Sequence, residues 1–347
     1  MGDCRTSVEL PLFLRMKRTF TYRGGKPARI AVRIGAAVLA SVCLTQCAPT
    51  YTLVSDQPDE SVRQETFGYR KWVHKSTEPK TVVIGVHGFC GASIDYENLG
   101  LHLLKERPDV GLYAYEVRGQ GKDPLKERRG DIDDPEKWFS DLEKFSEMVR
   151  AKHPNAKVVW FGESMGALIV SHAYQKQIAE NGKSPCDAIV LSSPVVKFRE
   201  DFPQWKKDLV RGVARVAPKA RVSLEAIAGG EQVQMTHDSV HSEQAETNAW
   251  HIDKHTLRLL VTLSDLIDGM PDCARSFEVP TLVLYGGKDF FSSAKDVEGF
   301  FGNIPKEAGR QRRFYPDSYH LLMYDDLKDT VIGDVEEWLG ALPKKSK

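Results

Sequence analysis

From about residue 60 the chain alternates between short apolar runs and longer segments whose apolar residues recur three or four positions apart. The runs Thr81–Val86 (TVVIGV), Gly111–Val117 (GLYAYEV), Lys157–Phe161 (KVVWF), Ala188–Ser192 (AIVLS) and Thr281–Tyr285 (TLVLY) are rich in β-branched and aromatic residues. Short runs of this kind predict strands buried on both faces. Phe67–Val73 and Arg312–Tyr315 predict a strand at either end of the series. Asp95–Glu106, Pro135–Lys152, Met165–Glu180, Ser293–Phe301 and Asp329–Leu342 have helical character. Within Pro135–Lys152, Trp138, Leu142, Phe145 and Val149 share one face, and Asp134 and Pro135 suit its N-terminus. In the last segment Val331, Val335, Trp338 and Leu342 can face a core.

Repeated strand–helix units predict an α/β fold: a mostly parallel sheet flanked by helices. The rhythm breaks over 196–273, a stretch that is polar or helical with no β run. It is too long for an ordinary loop. It is expected to form a helical cap inserted after the sixth strand, with the core divided between 60–195 and 274–343. In the cap, Phe202, Trp205, Leu209, Val213 and Val216 recur at near-helical spacing. That stripe either lines an apolar pocket or packs on the main domain.

Charge changes the picture at the N-terminus. Residues 1–46 carry eight basic and two acidic residues, so with zero net charge overall the remainder is net −6. A mildly acidic body offers no footprint for nucleic acid. The basic stretch leads into the apolar run Ile34–Leu44, too short for a membrane-spanning helix, which needs ~20 apolar residues. A positive segment followed by a short apolar one reads as a secretory signal, so 1–47 is expected to be an export segment. Leu44-Thr-Gln-Cys47 resembles a bacterial lipoprotein processing site, which makes Cys47 the lipidation candidate and Cys43 a weaker one; Met16 is an alternative start. The expected location is the periplasm or cell envelope, on a membrane surface if Cys47 is lipidated. Of the six cysteines only Cys90, Cys186 and Cys273 lie in the body. Export would permit a Cys186–Cys273 bridge, and buried thiols are the alternative. No cysteine or histidine cluster suggests a metal.

The candidate chemistry centres on Gly162-Glu163-Ser164-Met165-Gly166, a G-x-S-x-G that follows the strand KVVWF and opens a helix. A sharp strand-to-helix turn lifts the serine hydroxyl above the sheet edge. Gly162 and Gly166 flank it because side chains there would collide across the turn. The helix N-terminus favours negative charge that develops during attack. The alternative reading is a helix-capping serine. A serine nucleophile needs a base. His320 is placed for it, in the loop after the last strand and before the last helix. The base needs an acid to hold its tautomer. Asp289, in Gly286-Gly-Lys-Asp289 after the strand TLVLY, is expected to supply it, with Asp317 as the alternative. The oxyanion needs fixed donors: the Met165 N–H, and the Phe89 N–H in the loop His87-Gly88-Phe89-Cys90-Gly91. Gly88 permits close approach, and His87 is expected to organise that loop. His237, His241, His251 and His255 fall in the cap, where solvated or substrate-facing positions are expected.

HGFCG, Val117-Arg118-Gly119-Gln120-Gly121, GESMG, GGKD and YHLL occur in this order over about residues 67–342. Together they resemble the monoacylglycerol lipase and lysophospholipase group of α/β-hydrolases, also grouped with serine aminopeptidase S33-type hydrolases. Cys90 stands where that group often has a small residue, and Glu116 precedes the Arg118 turn where the group more often has an aspartate one residue later. The resemblance implies an α/β-hydrolase fold and a structural role for Arg118. It also implies cleavage of carboxylic esters, such as monoacylglycerols or lysophospholipids, through an acyl-enzyme. No cofactor is implied, and the partner is a small ester or lipid substrate. Thioester cleavage, acyl transfer or amide cleavage with the same residues is an alternative, as is a non-catalytic lipid-binding lipoprotein.

Overall fold

The structure, a computed structural model, describes residues 50–54, 67–197, 204–223, 233–240 and 250–343. The expected export segment with Cys47, and Phe202 and His241 of the cap, lie outside the described residues.

Eight strands form one sheet: β1 (Thr50–Val54), β2 (Phe67–Trp72), β3 (Thr81–Val86), β4 (Val110–Tyr115), β5 (Lys157–Glu163), β6 (Ala188–Ser192), β11 (Thr281–Gly286) and β12 (Gln311–Tyr315). Their spatial order is β1-β2-β4-β3-β5-β6-β11-β12. The β1–β2 and β2–β4 pairs are antiparallel and the rest are parallel. The polar alternation of Thr50-Tyr-Thr-Leu-Val54 left β1 without a core-type signature, and the sheet therefore starts ahead of residue 60.

The continuous apolar runs reflect burial on both faces. In β3, Val82, Ile84 and Val86 join one core layer while Val83 joins the other. The first layer is covered by α2 (Glu136–Lys152), α3 (Met165–Asn181) and α6 (Ala294–Asn303); α1 (Glu97–Glu106) and α7 (Lys328–Ala341) cover the second. The expected face of α2 is the one buried, through Trp138, Leu142, Phe145 and Val149. Side chains of this size contribute ~1.5–3 kcal/mol each when fully buried. Tyr96 links this packing to the site. Its hydroxyl lies 3.0 Å from the Val86 carbonyl and 2.8 Å from the Phe161 carbonyl, at the ends of β3 and β5. Its ring lies where a Cβ at Gly85 would stand within 2.8 Å.

Between β6 and β11 the chain leaves the sheet. The described part contains α4 (Gln204–Val216) and α5 (Leu257–Arg275) and, beyond the helices expected, two short antiparallel pairs. β7 (Arg221–Val222) pairs with β10 (His255–Thr256), and β8 (Gln234–Thr236) pairs with β9 (Ser239–Val240). Strands of two or three residues are too short to leave a period-2 pattern. The expected cap boundary at 273 also needs correction. In α5, Leu259, Leu266, Ile267, Met270 and Ala274 belong to the core layer, and His172 of α3 meets the Leu266 carbonyl at 2.8 Å. Among the described residues, the stripe on α4 is turned largely to solvent. Trp205, Leu209, Val213 and Val216 are 62%, 57%, 41% and 86% exposed.

Cys90, Cys186 and Cys273 are buried free thiols, so the Cys186–Cys273 bridge is not formed.

Candidate active site

β5 ends at Glu163 and α3 begins at Met165, leaving Ser164 as a single residue in the turn. Its φ of 54° and ψ of −115° are costly for a residue with a Cβ, of order 1–3 kcal/mol. The flanking glycines make the turn fit. A Cβ at Gly162 would lie 2.5 Å from the Gly166 carbonyl oxygen, and one at Gly166 would lie 1.8 Å from that of Val86. The Ser164 N–H donates to Ser192 O at 2.9 Å. Its side chain makes no capping bond, so the helix-cap alternative fails. Instead Oγ lies 2.8 Å from His320 Nε2.

His320 follows β12 and is 1% exposed. Its Nδ1 lies 2.8 Å from Asp289 Oδ2, while Asp289 Oδ1 accepts the Phe291 N–H at 2.8 Å. Gly286 and Gly287 let the Asp289 turn close on the histidine loop: a Cβ at either would come within 2.3 Å of the Ser318 or Pro316 carbonyl. The Phe291 ring packs edge-on to the imidazole at 4.6 Å. Asp317, the alternative acid, instead lies 3.7 Å from Lys288 on the surface.

Across from Ser164, a Cβ at Gly88 would be 3.1 Å from the serine Cβ, so the loop after β3 passes against the nucleophile. His87 ties that loop down. It is fully buried, and burial lowers its pKa to about 4, which leaves the ring neutral. Its Nε2 accepts the Val117 N–H at 2.9 Å, so Nδ1 carries the proton and donates to Gly88 O at 2.9 Å. Glu116 Oε2, 3.8 Å from Nε2, is therefore a neighbour and not an ion-pair partner. Cys90 takes a left-handed φ of 57°, which explains the preference for a small residue there, and its N–H donates to Gln120 Oε1 at 3.1 Å. Phe89 sits between, its ring 4.3 Å from that of His255. Met165 opens α3, where the first N–H groups have no partner within the helix. Arg118 is structural, with a bidentate bond to Asp141 at 2.7 and 2.5 Å.

Several neighbours escaped the sequence reading. Glu163 is buried beside the nucleophile; burial, then the charge of Asp95, raises its pKa to about 8. Burial likewise raises Asp95 to about 7, against the pull of its bond from the Ala92 N–H at 2.9 Å. Only the acid in the second position of G-x-S-x-G hinted at this pair. Ser193 Oγ donates to the His320 carbonyl at 2.6 Å. Asp325 accepts the Tyr319 N–H at 2.8 Å. His255, expected in a solvated or substrate-facing position, is buried: it is 1% exposed and its Nε2 lies 3.4 Å from Cys90 Sγ. Its apolar surroundings come from Phe89, distant in sequence.

Among the described residues, His237, Asp325 and Asp326 bring three ligand-type atoms within 4.8 Å of one another. His237 Nδ1 already lies 2.6 Å from Asp325 Oδ1, a hydrogen-bond spacing.

The parallel sheet, the serine on its strand-to-helix turn and the loops converging at the strand ends define an α/β-hydrolase. The chain belongs to the family described as serine aminopeptidase, S33, which it matches over residues 77–326. Its fold is similar to that of a soluble variant of monoglyceride lipase from Saccharomyces cerevisiae, solved with a substrate analogue: TM-score 0.69, 18% identity, 85% of this chain and 96% of that one. It is also similar to a monoacylglycerol lipase from Paleococcus ferrophilus, with TM-score 0.63, 19% identity and 80% and 99% coverage. A carboxyl esterase from Bacillus coagulans in complex with glycerol aligns with TM-score 0.66, 14% identity and 85% and 99% coverage. No curated protein sequence matches the chain.

Proposed function

We propose that this protein is a serine carboxylic ester hydrolase acting through an acyl-enzyme, with Ser164 as nucleophile, His320 as general base and Asp289 as the acid that orients it. The carrying observation is the unbroken chain from Ser164 Oγ through His320 to Asp289, with both contacts at 2.8 Å. His320 Nε2 takes the serine proton as Oγ attacks the ester carbonyl, and the N–H groups of Met165 and Phe89 receive the oxyanion. The imidazolium, stabilised by Asp289, then protonates the leaving alcohol, and the neutral ring activates the water that releases the acid.

The substrate we infer is a monoacylglycerol- or lysophospholipid-like ester. Two observations support it: the likeness to monoglyceride and monoacylglycerol lipases, and the outward stripe of α4. That helix turns Trp205, Leu209, Val213 and Val216 to solvent and carries Lys206, Lys207, Arg211 and Arg215, of which Arg211 pairs with Asp265 and Asp268 of α5. An exposed apolar face edged by cations suits a lipid–water interface. An export signal and lipidation of Cys47 would place the enzyme on a membrane of the cell envelope.

The test is hydrolysis of a chain-length series of p-nitrophenyl esters and of monoacylglycerol, beside Ser164→Ala. Each buried methylene should add ~0.8 kcal/mol of binding if an acyl site exists. Serine-dependent turnover that rises toward medium or long chains supports the reading. Turnover on acetate and butyrate alone points to a small-ester esterase, and no serine-dependent turnover on any ester overturns the proposal.

A further inference from the structure

We propose that Asp325 and the segment Met235–His237 are positioning residues for His320. They form a clamp that makes this piece of the insertion part of the base's scaffold and not of a movable lid. The proposal rests on the ester-hydrolase reading.

His320 stands on a loop between β12 and the short 3-10 turn Leu322–Tyr324, with no regular ladder to fix it. A base displaced by ~1 Å loses about 100-fold in rate, so the loop needs anchors. The peptide groups around His320 have them. The His320 carbonyl accepts Ser193 Oγ at 2.6 Å, from the end of β6. The residue before donates its N–H, Tyr319 to Asp325 Oδ2 at 2.8 Å. The residue after does likewise, Leu321 to the Met235 carbonyl at 3.0 Å. The Asp325 and Met235 anchors both lead to the insertion, because the second oxygen of Asp325 belongs to His237.

Asp325 Oδ1 accepts the His237 N–H at 2.8 Å and meets His237 Nδ1 at 2.6 Å. The carboxylate is 2% exposed. Burial pushes its pKa up, but the N–H groups of His237 and Tyr319 outweigh that and hold it below the ordinary value. One buried, ionised group thus bridges the insertion and the histidine loop, and removing either side leaves a buried charge short of donors. The His237 ring also packs edge-on to Tyr319 at 5.0 Å. Met235, 7% exposed, lies in β8 two residues before His237, so the backbone bond and the carboxylate bridge come from one short segment.

The experiment compares the full-length protein with Asp325→Asn, Asp325→Ala, His237→Ala and His237→Asn. It reads kcat and KM on p-nitrophenyl butyrate, the rate of Ser164 labelling by a fluorophosphonate, and Tm. We expect Asp325→Ala to lower kcat and the labelling rate by roughly 10- to 100-fold, with KM changing less than about threefold. His237→Ala is expected to lose about three- to tenfold, and His237→Asn, whose amide can still donate to Asp325, to recover part of it. The half-exposed His237 keeps the test decisive should Asp325→Ala fail to fold. Wild-type labelling rates in folded His237→Ala and Asp325→Asn, or a loss confined to KM or to Tm, would overturn the clamp. Labelling of the wild type without hydrolysis of any ester would overturn the ester reading instead, and the labelling rates of the variants would still decide the clamp.

Discussion

His87 Nε2 accepts the Val117 N–H at 2.9 Å, so one buried imidazole joins the loop after β3 to the loop after β4. The loop it holds carries Phe89 past Ser164. Loss of an oxyanion donor costs ~10²–10³ in kcat, and a loosened donor should cost less. His87→Ala is therefore expected to lower kcat by about 10- to 100-fold, with KM for a short soluble ester nearly unchanged. Steady-state kinetics on p-nitrophenyl butyrate checks this; an unchanged kcat would show that the loop keeps its place without the imidazole.

Asp289 contacts His320 Nδ1 directly and does not touch the nucleophile. In Asp289→Asn an amide replaces the carboxylate, and the imidazole is free to take the wrong tautomer. The expected loss in kcat is about 10⁴-fold, as for the equivalent change in serine proteases. Tm should move little, and the two readouts together separate tautomer control from misfolding.

Glycine-to-alanine changes should act in opposite directions at two positions. At Gly166 the new Cβ would fall 1.8 Å from the Val86 carbonyl oxygen, a backbone atom that cannot turn aside. Gly166→Ala should abolish Ser164 labelling by a fluorophosphonate and lower Tm. Gly299, exposed within α6, has nothing within 4 Å of the same position. Gly299→Ala should stabilise the fold by about 0.5–1 kcal/mol and leave activity unchanged, read by denaturant titration.

Burial raises the Glu163 pKa from 4.5 to about 8. The unfolded chain gives up this proton near the lower value and the folded one near the higher. Between them the folded state binds more protons, so the stability contributed by this group falls as pH rises through the interval. Burial of neutral His87 has the opposite sign: its contribution is lost as pH falls from 6.5 to about 4. Glu163→Gln should flatten the decline in Tm between pH 4.5 and about 8. A decline as steep as that of the wild type would mean that Glu163 ionises normally in the folded protein.

The strands of the parallel core, the helix facing of α2 and the three residues that meet at 2.8 Å were legible because each announces itself locally. Apolar runs mark strands buried on both faces, and the G-x-S-x-G turn marks its own strand-to-helix junction. The loops bearing Asp289 and His320 follow from the strands before them. β1 was not legible, since its alternating threonines form no continuous apolar run of the kind that marks the core strands. α5 read as cap because its amphipathic pattern shows only that one face is covered, not that α3 covers it.

Chain order and residue type thus specified the fold class and its candidate nucleophile, base and acid, all of which depend on local spacing and side-chain chemistry. Contacts across long stretches of sequence were settled by folding alone. Ser193 reaches the His320 carbonyl, and burial, then the charge of Asp95, raises the Glu163 pKa. His255 is buried against Phe89, and Asp325 takes donors from both Tyr319 and His237. None of these has a periodic or motif signal, because a hydrogen bond or a buried charge depends on which groups the packed chain brings within about 3 Å, and that distance exists only once the layers have closed.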